Sequence, residues 1–394
     1  MQRDIIVLAG SFIMPDGNAL SVHYSAVAKL LERLGYRVVF ISWKPELITD
    51  ESGYKQTVYD GRTCYEIPYP CSSSEWVKNI FNSGVYKRIL EKTGKESIYA
   101  LIVDGIKFHN VKSLFRFSKH NGIHYVYHLS EWPKEPIDKT VNSYINVISS
   151  WIEMNKLCPR IKNVLSVSRF AAEQLNKNKN MNAVQMPVFN DKTDDKWIIK
   201  NDYQPCDIVK IGYAGNLDRI GYKERIDWLV KAACIINSSA KKVEVHLVGI
   251  TKQQFKEACP DISNMPEFDN SVVFYGRKRQ EECIQILGVM DYNFIVRNAS
   301  WNMKCGFPTK LGESFACGVP VLISDYAYID EFVKQGKTGW LLQDITYPSF
   351  EDYLKTAVSA NKEKRLYMHE QCRKSNVLDY TSYVSFIGDY LKNL

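Results

Sequence analysis

An α/β fold made of two doubly wound, parallel-sheet domains is what this 394-residue chain predicts. Three observations lead there. Short β-branched runs alternate with helix-periodic stretches from end to end, the pattern of parallel sheets covered by helices on both faces. The alternation lapses once, at about 189–206, where the chain turns polar and turn-rich, and then restarts. The length, at roughly 100 to 200 residues per domain, suits two domains, each able to bury a core without disulfide or metal staples.

In the first domain, residues 1–190, strands are expected at 5–9, 37–42, 99–103, 124–128 and 163–167. The first of these is a buried strand rather than a secretory leader, because Asp4 precedes it, Pro15-Asp16-Gly17-Asn18 follows, and no small-x-small cleavage site is visible. Asn18 suits the cap of a helix whose Val22, Val27, Leu30, Leu31 and Leu34 fall at helical spacing, and Gly35 suits its end. That makes one βαβ unit. After the linker, the second domain, 205–379, restarts with strands at 208–213, 243–248, 271–275, 292–296 and 319–323, and a short one at 340–342. The tail 380–394 places Tyr383, Phe386, Ile387, Tyr390 and Leu391 at helical spacing, as core packing.

The composition, 45% hydrophobic and 24% charged, is that of a folded globular chain. No run approaches the roughly 20 apolar residues that span a bilayer. Ten cysteines without a C-x-x-C pair, and without histidines at zinc spacing, read as buried thiols in a reducing compartment, the cytoplasm. Residues 1–190 hold 24 Lys and Arg against 17 Asp and Glu, whereas 191–394 hold 27 of each. The positive excess therefore lies in the first half, which suits an anionic membrane face or another acidic partner as well as a plain solvated surface. Nucleic acid is not expected, since the cations are dispersed and carry no binding signature.

In open parallel sheets ligands bind beyond the carboxyl ends of the strands, so the loops there are where motifs count. The most specific segment is Gly306-Phe307-Pro308-Thr309-Lys310-Leu311-Gly312-Glu313-Ser314-Phe315-Ala316-Cys317-Gly318-Val319-Pro320-Val321. Pro308 or Thr309 opens a helix, and Gly318 with Pro320 ends it. Lys310 and Glu313 then lie one turn apart near a helix N-terminus, a place that favours anions. Lys310 suits a diphosphate and Glu313 two ribose hydroxyls; by residue type alone, a solvated lysine and a glutamate favouring its own helix terminus fit as well.

This segment resembles the donor-binding half of family 4-like (group 1) glycosyltransferases with the GT-B fold, in the variant of cell-surface polysaccharide enzymes. Phe-Pro-Thr-Lys-x-x-Glu-Ser-x-Ala-Cys-Gly-x-Pro-Val is similar to their Glu-Ala-x-Ala-x-Gly-x-Pro-Val signature. Ile211-Gly212-Tyr213-Ala214-Gly215-Asn216-Leu217, Val248-Gly249, Phe274-Tyr275-Gly276-Arg277 and Gly336-Lys337-Thr338-Gly339-Trp340 resemble further landmarks of the same half. Gly35-Tyr36-Arg37-Val38-Val39 and Val167-Ser168 are similar to landmarks of the other. The resemblance implies two Rossmann-like domains facing across a cleft, the first for an acceptor and the second for a nucleotide-sugar donor, with the final helix returning to the first domain.

One position departs from the family pattern: the first of its two glutamates, eight places before Glu313, is Cys305. The family's arginine after the glycine turn is also replaced, by Asn216. Bond cleavage leaves charge on the diphosphate, which needs cations. Arg219 and Lys223 after the same turn, and Arg297 and Lys304 after the strand at 292–296, are the candidates beside Lys310, Glu313, Gly215 and Asn216. Arg277 lies where the family reads the base. No D-x-D metal cluster is needed on this fold, so neither metal nor other cofactor is expected.

For the acceptor, the resemblance singles out the loop 10–18, where Asp16 either orients a hydroxyl or serves a plain turn, and His128, at a strand end where family members carry a histidine. Glu131 is the nearest carboxylate for general-base work, and Trp132 stacks on a sugar or fills a wall. Together these imply sugar transfer from a UDP- or GDP-sugar to a hydroxyl of a lipid-linked or growing surface glycan, retaining and metal-independent, at the cytoplasmic membrane face. A nucleotide-sugar epimerase of the same fold and a non-catalytic GT-B binding subunit are the alternatives. A dinucleotide oxidoreductase is disfavoured, since no G-x-G-x-x-G follows either first strand.

Overall fold

The computed structural model describes residues 3–15, 17–136, 139–217 and 223–394. By internal packing the chain forms two units: Met1–Asn190 with Lys304–Phe307 and Tyr380–Leu394, and Asp191–Met303 with Pro308–Asp379.

The first unit is built on eight strands: β1 (Ile5–Gly10), β2 (Arg37–Lys44), β3 (Lys55–Tyr59), β4 (Arg62–Pro68), β5 (Ile98–Asp104), β6 (His124–Leu129), β7 (Asn163–Ser166) and β8 (Asn182–Gln185). Their order is β3-β4-β2-β1-β5-β6-β7-β8, parallel except for the β3–β4 hairpin. β1 is buried along its whole length, as a central strand covered on both faces must be. The helix Ala19–Arg33 starts at Asn18, whose side chain accepts from Ser21 N at 3.1 Å in a reciprocal capping box, and Gly35 beyond its end takes φ +90°. Strand order reverses between β1 and β5, and register sets Gly10 beside Asp104 and Asp104 beside His128. Three strand ends thus meet where a ligand is expected.

The second unit has six parallel strands: β9 (Val209–Ala214), β10 (Val243–Val248), β11 (Val272–Gly276), β12 (Tyr292–Ile295), β13 (Val321–Ser324) and β14 (Gly339–Leu342). Their order is β11-β10-β9-β12-β13-β14, so the switch point lies between β9 and β12. The helix Thr309–Ala316 joins β12 to β13, with Gly318 at φ +73° closing it.

Three stretches differ from expectation. The hairpin β3–β4 has a two-residue Asp60-Gly61 turn, both at positive φ, which suits the twist of a tight hairpin. The boundary between the units falls inside the expected linker, after Asn190, and from Asp191 on the stretch is packed into the second unit: Trp197 is buried and donates to Asp191 O at 2.8 Å, and the Tyr203 ring stacks on His369 at 3.5 Å. Two aromatics in a polar run suffice to anchor it. In the tail, Ile387, Tyr390 and Leu391 are buried as expected, but Phe386 is exposed. Among the described residues no helix is long and apolar enough to cross a membrane.

Candidate active site

In the second unit the polar centre forms at the β9–β12 switch point. Arg297 follows β12, and its backbone is held by Ser324, whose hydroxyl accepts from Arg297 N at 2.8 Å and donates to Arg297 O at 2.7 Å. Its guanidinium turns onto Glu224, whose Oε1 accepts from Arg297 Nε at 2.9 Å, from Arg297 Nη2 at 2.5 Å and from Lys310 Nζ at 2.8 Å. Glu224 pairs through its backbone with Arg297 and is almost wholly buried. Lys310 sits in the first turn of Thr309–Ala316, its ammonium 5.0 Å from the Tyr213 ring centroid.

The charges explain the protonation preferences. Burial works against the Glu224 carboxylate, but Arg297 and Lys310 overcome it and hold the group well below the usual carboxylate range. Burial also pushes the Lys310 ammonium down, opposed by Glu224 and reinforced by Arg297. Glu313, one turn on, is raised by burial, with Lys310 and Lys196 acting against the rise. Arg297 and Lys310 thus stand beside a helix N-terminus with Glu224 as their shared counter-ion and Glu313 one turn on, an arrangement of cations that an incoming diphosphate can join. Backbone also approaches closely here: a Cβ on Gly249, at φ +91°, would lie 2.5 Å from Gly215 O.

In the first unit the strand ends carry a second cluster. His128 is fully buried at the end of β6, its Nδ1 3.0 Å from Asp104 Oδ2 and 2.8 Å from the Tyr24 hydroxyl. Asp104 also accepts from Tyr24 at 3.1 Å and from Ser130 Oγ at 2.7 Å. A carboxylate at Nδ1 favours the tautomer protonated there and leaves the Nε2 lone pair, which has no hydrogen-bond partner among the described residues. The His23 ring lies 5.5 Å from His128; burial first, with the neighbouring His128 acting in the same direction, lowers its basicity to about 3, so it stays neutral.

Residues 209–358 match the family model described as glycosyl transferases group 1. The chain carries a group 1 glycosyltransferase domain. No curated protein matches it by sequence. Among solved structures it is similar to sucrose-phosphate synthase from Thermosynechococcus elongatus, with 13% identity over 99% of each chain and a TM-score of 0.72. It is also similar to Anabaena Alr3699/HepE in complex with UDP, with 14% identity over 100% of each chain and a TM-score of 0.65. A third is alpha,alpha-trehalose 6-phosphate synthase from Burkholderia multivorans, with 11% identity over 100% of this chain and 99% of that one, and a TM-score of 0.68. The fold is therefore GT-B, and the protein is a glycosyltransferase.

Of the donor residues expected in this glycosyltransferase, the structure gathers Arg297 and Lys310 on one carboxylate, with Glu313 within electrostatic reach of Lys310. Gly215 lies against Gly249. Lys223 immediately precedes Glu224 and is half-buried. Asn216 and Arg277 are exposed and outside the Glu224 cluster. Lys304 groups with the first unit, its ammonium 5.9 Å from the Phe170 ring centroid and its carbonyl accepting from Ser168 Oγ at 2.5 Å. Asp16 and Arg219 lie outside the described residues. Glu131 is exposed beyond β6. Cys305 is fully buried and its thiol is pushed up to about 12 by burial, with Lys134 acting against the rise, so it stands as a neutral group where the family has a carboxylate.

Glu224, Asp104 and Tyr24 were not singled out by sequence reasoning. Asp104 had a signal, being an acid at the end of an apolar strand. Glu224 had none, since Lys223-Glu224-Arg225 reads as an ordinary charged turn.

Proposed function

We propose that the glycosyltransferase takes a sugar from a UDP- or GDP-sugar and transfers it to a hydroxyl of a lipid-linked or growing surface polysaccharide such as a capsule or lipopolysaccharide, with retention at the anomeric carbon and without a metal. The observation that carries the donor half is the Arg297–Glu224–Lys310 cluster at the switch point of the second unit. In this reading the diphosphate approaches the helix N-terminus at Thr309. Lys310 and Arg297 stabilise the charge that builds on it as the glycosidic bond breaks. Glu313 accepts hydrogen bonds from the ribose. UDP is favoured over GDP because a solved GT-B neighbour carries it.

On the acceptor side, the buried His128, its ring held by Asp104 and Tyr24, orders the strand ends beside which the acceptor binds, so these three are positioning residues. The positive excess of residues 1–190 supports work at the anionic cytoplasmic face of a membrane, where a lipid-linked acceptor is held. In this reading Arg297, Lys310 and the helix terminus supply the positive charge that the diphosphate needs.

The test is a thermal-shift screen of UDP, GDP, CMP and dTDP and their sugar conjugates, on the wild type and on Lys310→Ala and Glu313→Ala. Stabilisation by one nucleotide sugar, lost in both variants, is expected. No stabilisation by any of them, or variants that respond like the wild type, sinks the donor-site reading and leaves the binding-subunit alternative.

A further inference from the structure

We propose that the first unit docks on anionic phospholipid bilayers through one face formed by the helices Ser73–Ile80 and Val141–Ile152 and the cationic groove next to them. This rests on the membrane part of the proposed function and names the surface that performs it.

The helix Val141–Ile152 is inside out. It buries Ser143, Ser149 and Ser150, while Tyr144, Ile148 and Trp151, at i, i+4 and i+7, are 50%, 57% and 57% exposed. Its sequence holds no charged residue. A helix facing only water places serine outside and isoleucine inside, so the exposed stripe needs an apolar partner. Tyr and Trp beside Ile is the composition of a membrane interface, and Lys156, 5.7 Å from the Trp151 ring, can reach headgroups from the same side.

Exposed apolar residues also lie on a neighbouring helix. Asn110 donates to Asn79 O at 2.7 Å, and Phe108 N donates to Ser149 Oγ at 3.0 Å, so the helix Phe108–His120 ties both other helices together. Val77 and Phe81, at the end of Ser73–Ile80, are 47% and 59% exposed. The Phe81 ring packs 4.8 Å from His109, and His109 lines a groove of about 500 Å³ with Lys87, Lys95, Lys112 and Arg116 against the single carboxylate Glu91.

Charge selects the occupant. A second copy of this chain placed on the same face would set the groove's cations against each other. An anionic bilayer offers acyl chains for the apolar stripe and phosphates for the groove at the same time. The position suits an acceptor held in the membrane, because Val141–Ile152 is the next helix after β6, the strand that ends at His128.

The test is co-sedimentation of the full chain with vesicles holding about 30% phosphatidylglycerol in phosphatidylethanolamine, and with phosphatidylcholine alone. Two double variants are compared, Ile148→Ser with Trp151→Ser and Lys112→Glu with Arg116→Glu. The wild type is expected to bind the anionic vesicles at least about tenfold better than the neutral ones, and each variant to lose about tenfold, with melting temperature and nucleotide-induced shift unchanged. If the wild type binds and both variants bind equally well, this surface is wrong while the membrane reading survives. Failure of the wild type to bind overturns both. If the serine variant only turns a soluble dimer into a monomer, the face is a self-association surface and the inference falls.

Discussion

Replacing Glu224 with glutamine tests the donor site most directly. The carboxylate accepts three charge-assisted hydrogen bonds between 2.5 and 2.9 Å, and only 2% of its side chain is exposed. Glu224→Gln keeps the shape but leaves Arg297, buried, and Lys310, partly buried, as two like charges without their counter-ion. Removing one partner from such a pair costs about 3–5 kcal/mol, and the retained amide oxygen puts this variant near the lower end. For a domain of this size 1 kcal/mol corresponds to about 2–4 °C, so melting should fall by about 6–12 °C at pH 7. The loss depends on pH with a definite sign. Because the folded carboxyl lies below its ordinary 4.5, the contribution of Glu224 is complete above that value and drains away as pH falls beneath it. The gap between variant and wild type should therefore hold from pH 7 to about 5 and narrow below.

A diphosphate occupies the same cations, so added UDP should raise the melting temperature of Glu224→Gln more than that of the wild type. Differential scanning fluorimetry with and without UDP reads both effects. A variant that melts within about 2 °C of the wild type, or gains no more from UDP, would show that the three charges are not coupled as described.

Three further outcomes are expected. Glu313→Gln should weaken nucleotide-sugar binding by about 10- to 100-fold in calorimetry, the worth of a hydrogen bond to a charged group; unchanged affinity removes Glu313 from the ribose. Glu153 is buried and accepts from Tyr127 at 2.6 Å, and burial raises its carboxyl from 4.5 to about 7, with Ser149, Tyr127 and Lys107 acting against the rise. Its neutral form is the favoured one, so its contribution is full below 4.5 and is lost as pH rises through about 7; urea unfolding should show the wild type losing about 3 kcal/mol more than Glu153→Gln between pH 4.5 and 7.5, and parallel profiles would refute this. Gly249→Ala should cost about 1–3 kcal/mol in urea, because its Cβ meets Gly215 O in a conformation that side chains rarely adopt; a neutral result would mean the loop can move apart.

Much of the fold was legible because it depends on local pattern. The apolar run of β1, the Asn18 cap with its Gly35 stop, and the Pro308 to Gly318 bracket of one helix are all written in neighbouring residues, and each formed as read. The hairpin was overlooked although Asp60-Gly61 is a strong turn signal, and the packing of 191–206 against the second unit was not foreseen because its polar residues outnumber the Trp197 and Tyr203 that anchor it. Within the site, residue type and strand position sufficed to select Lys310, Arg297 and His128. They did not reveal that Arg297 and Lys310 share Glu224, or that Asp104 and Tyr24 hold His128.

The division has a physical cause. Secondary structure, strand ends and the motif that resembles group 1 glycosyltransferases follow from periodicity and turn chemistry over a few residues, and a sequence carries these directly. The partners of Arg297 and His128 are 73, 104 and 24 positions away, brought close only by parallel pairing and strand register. The same holds for the exposed Tyr144, Ile148 and Trp151: their spacing announces an apolar face, but which side of a helix is left to the solvent is decided by what packs against the other.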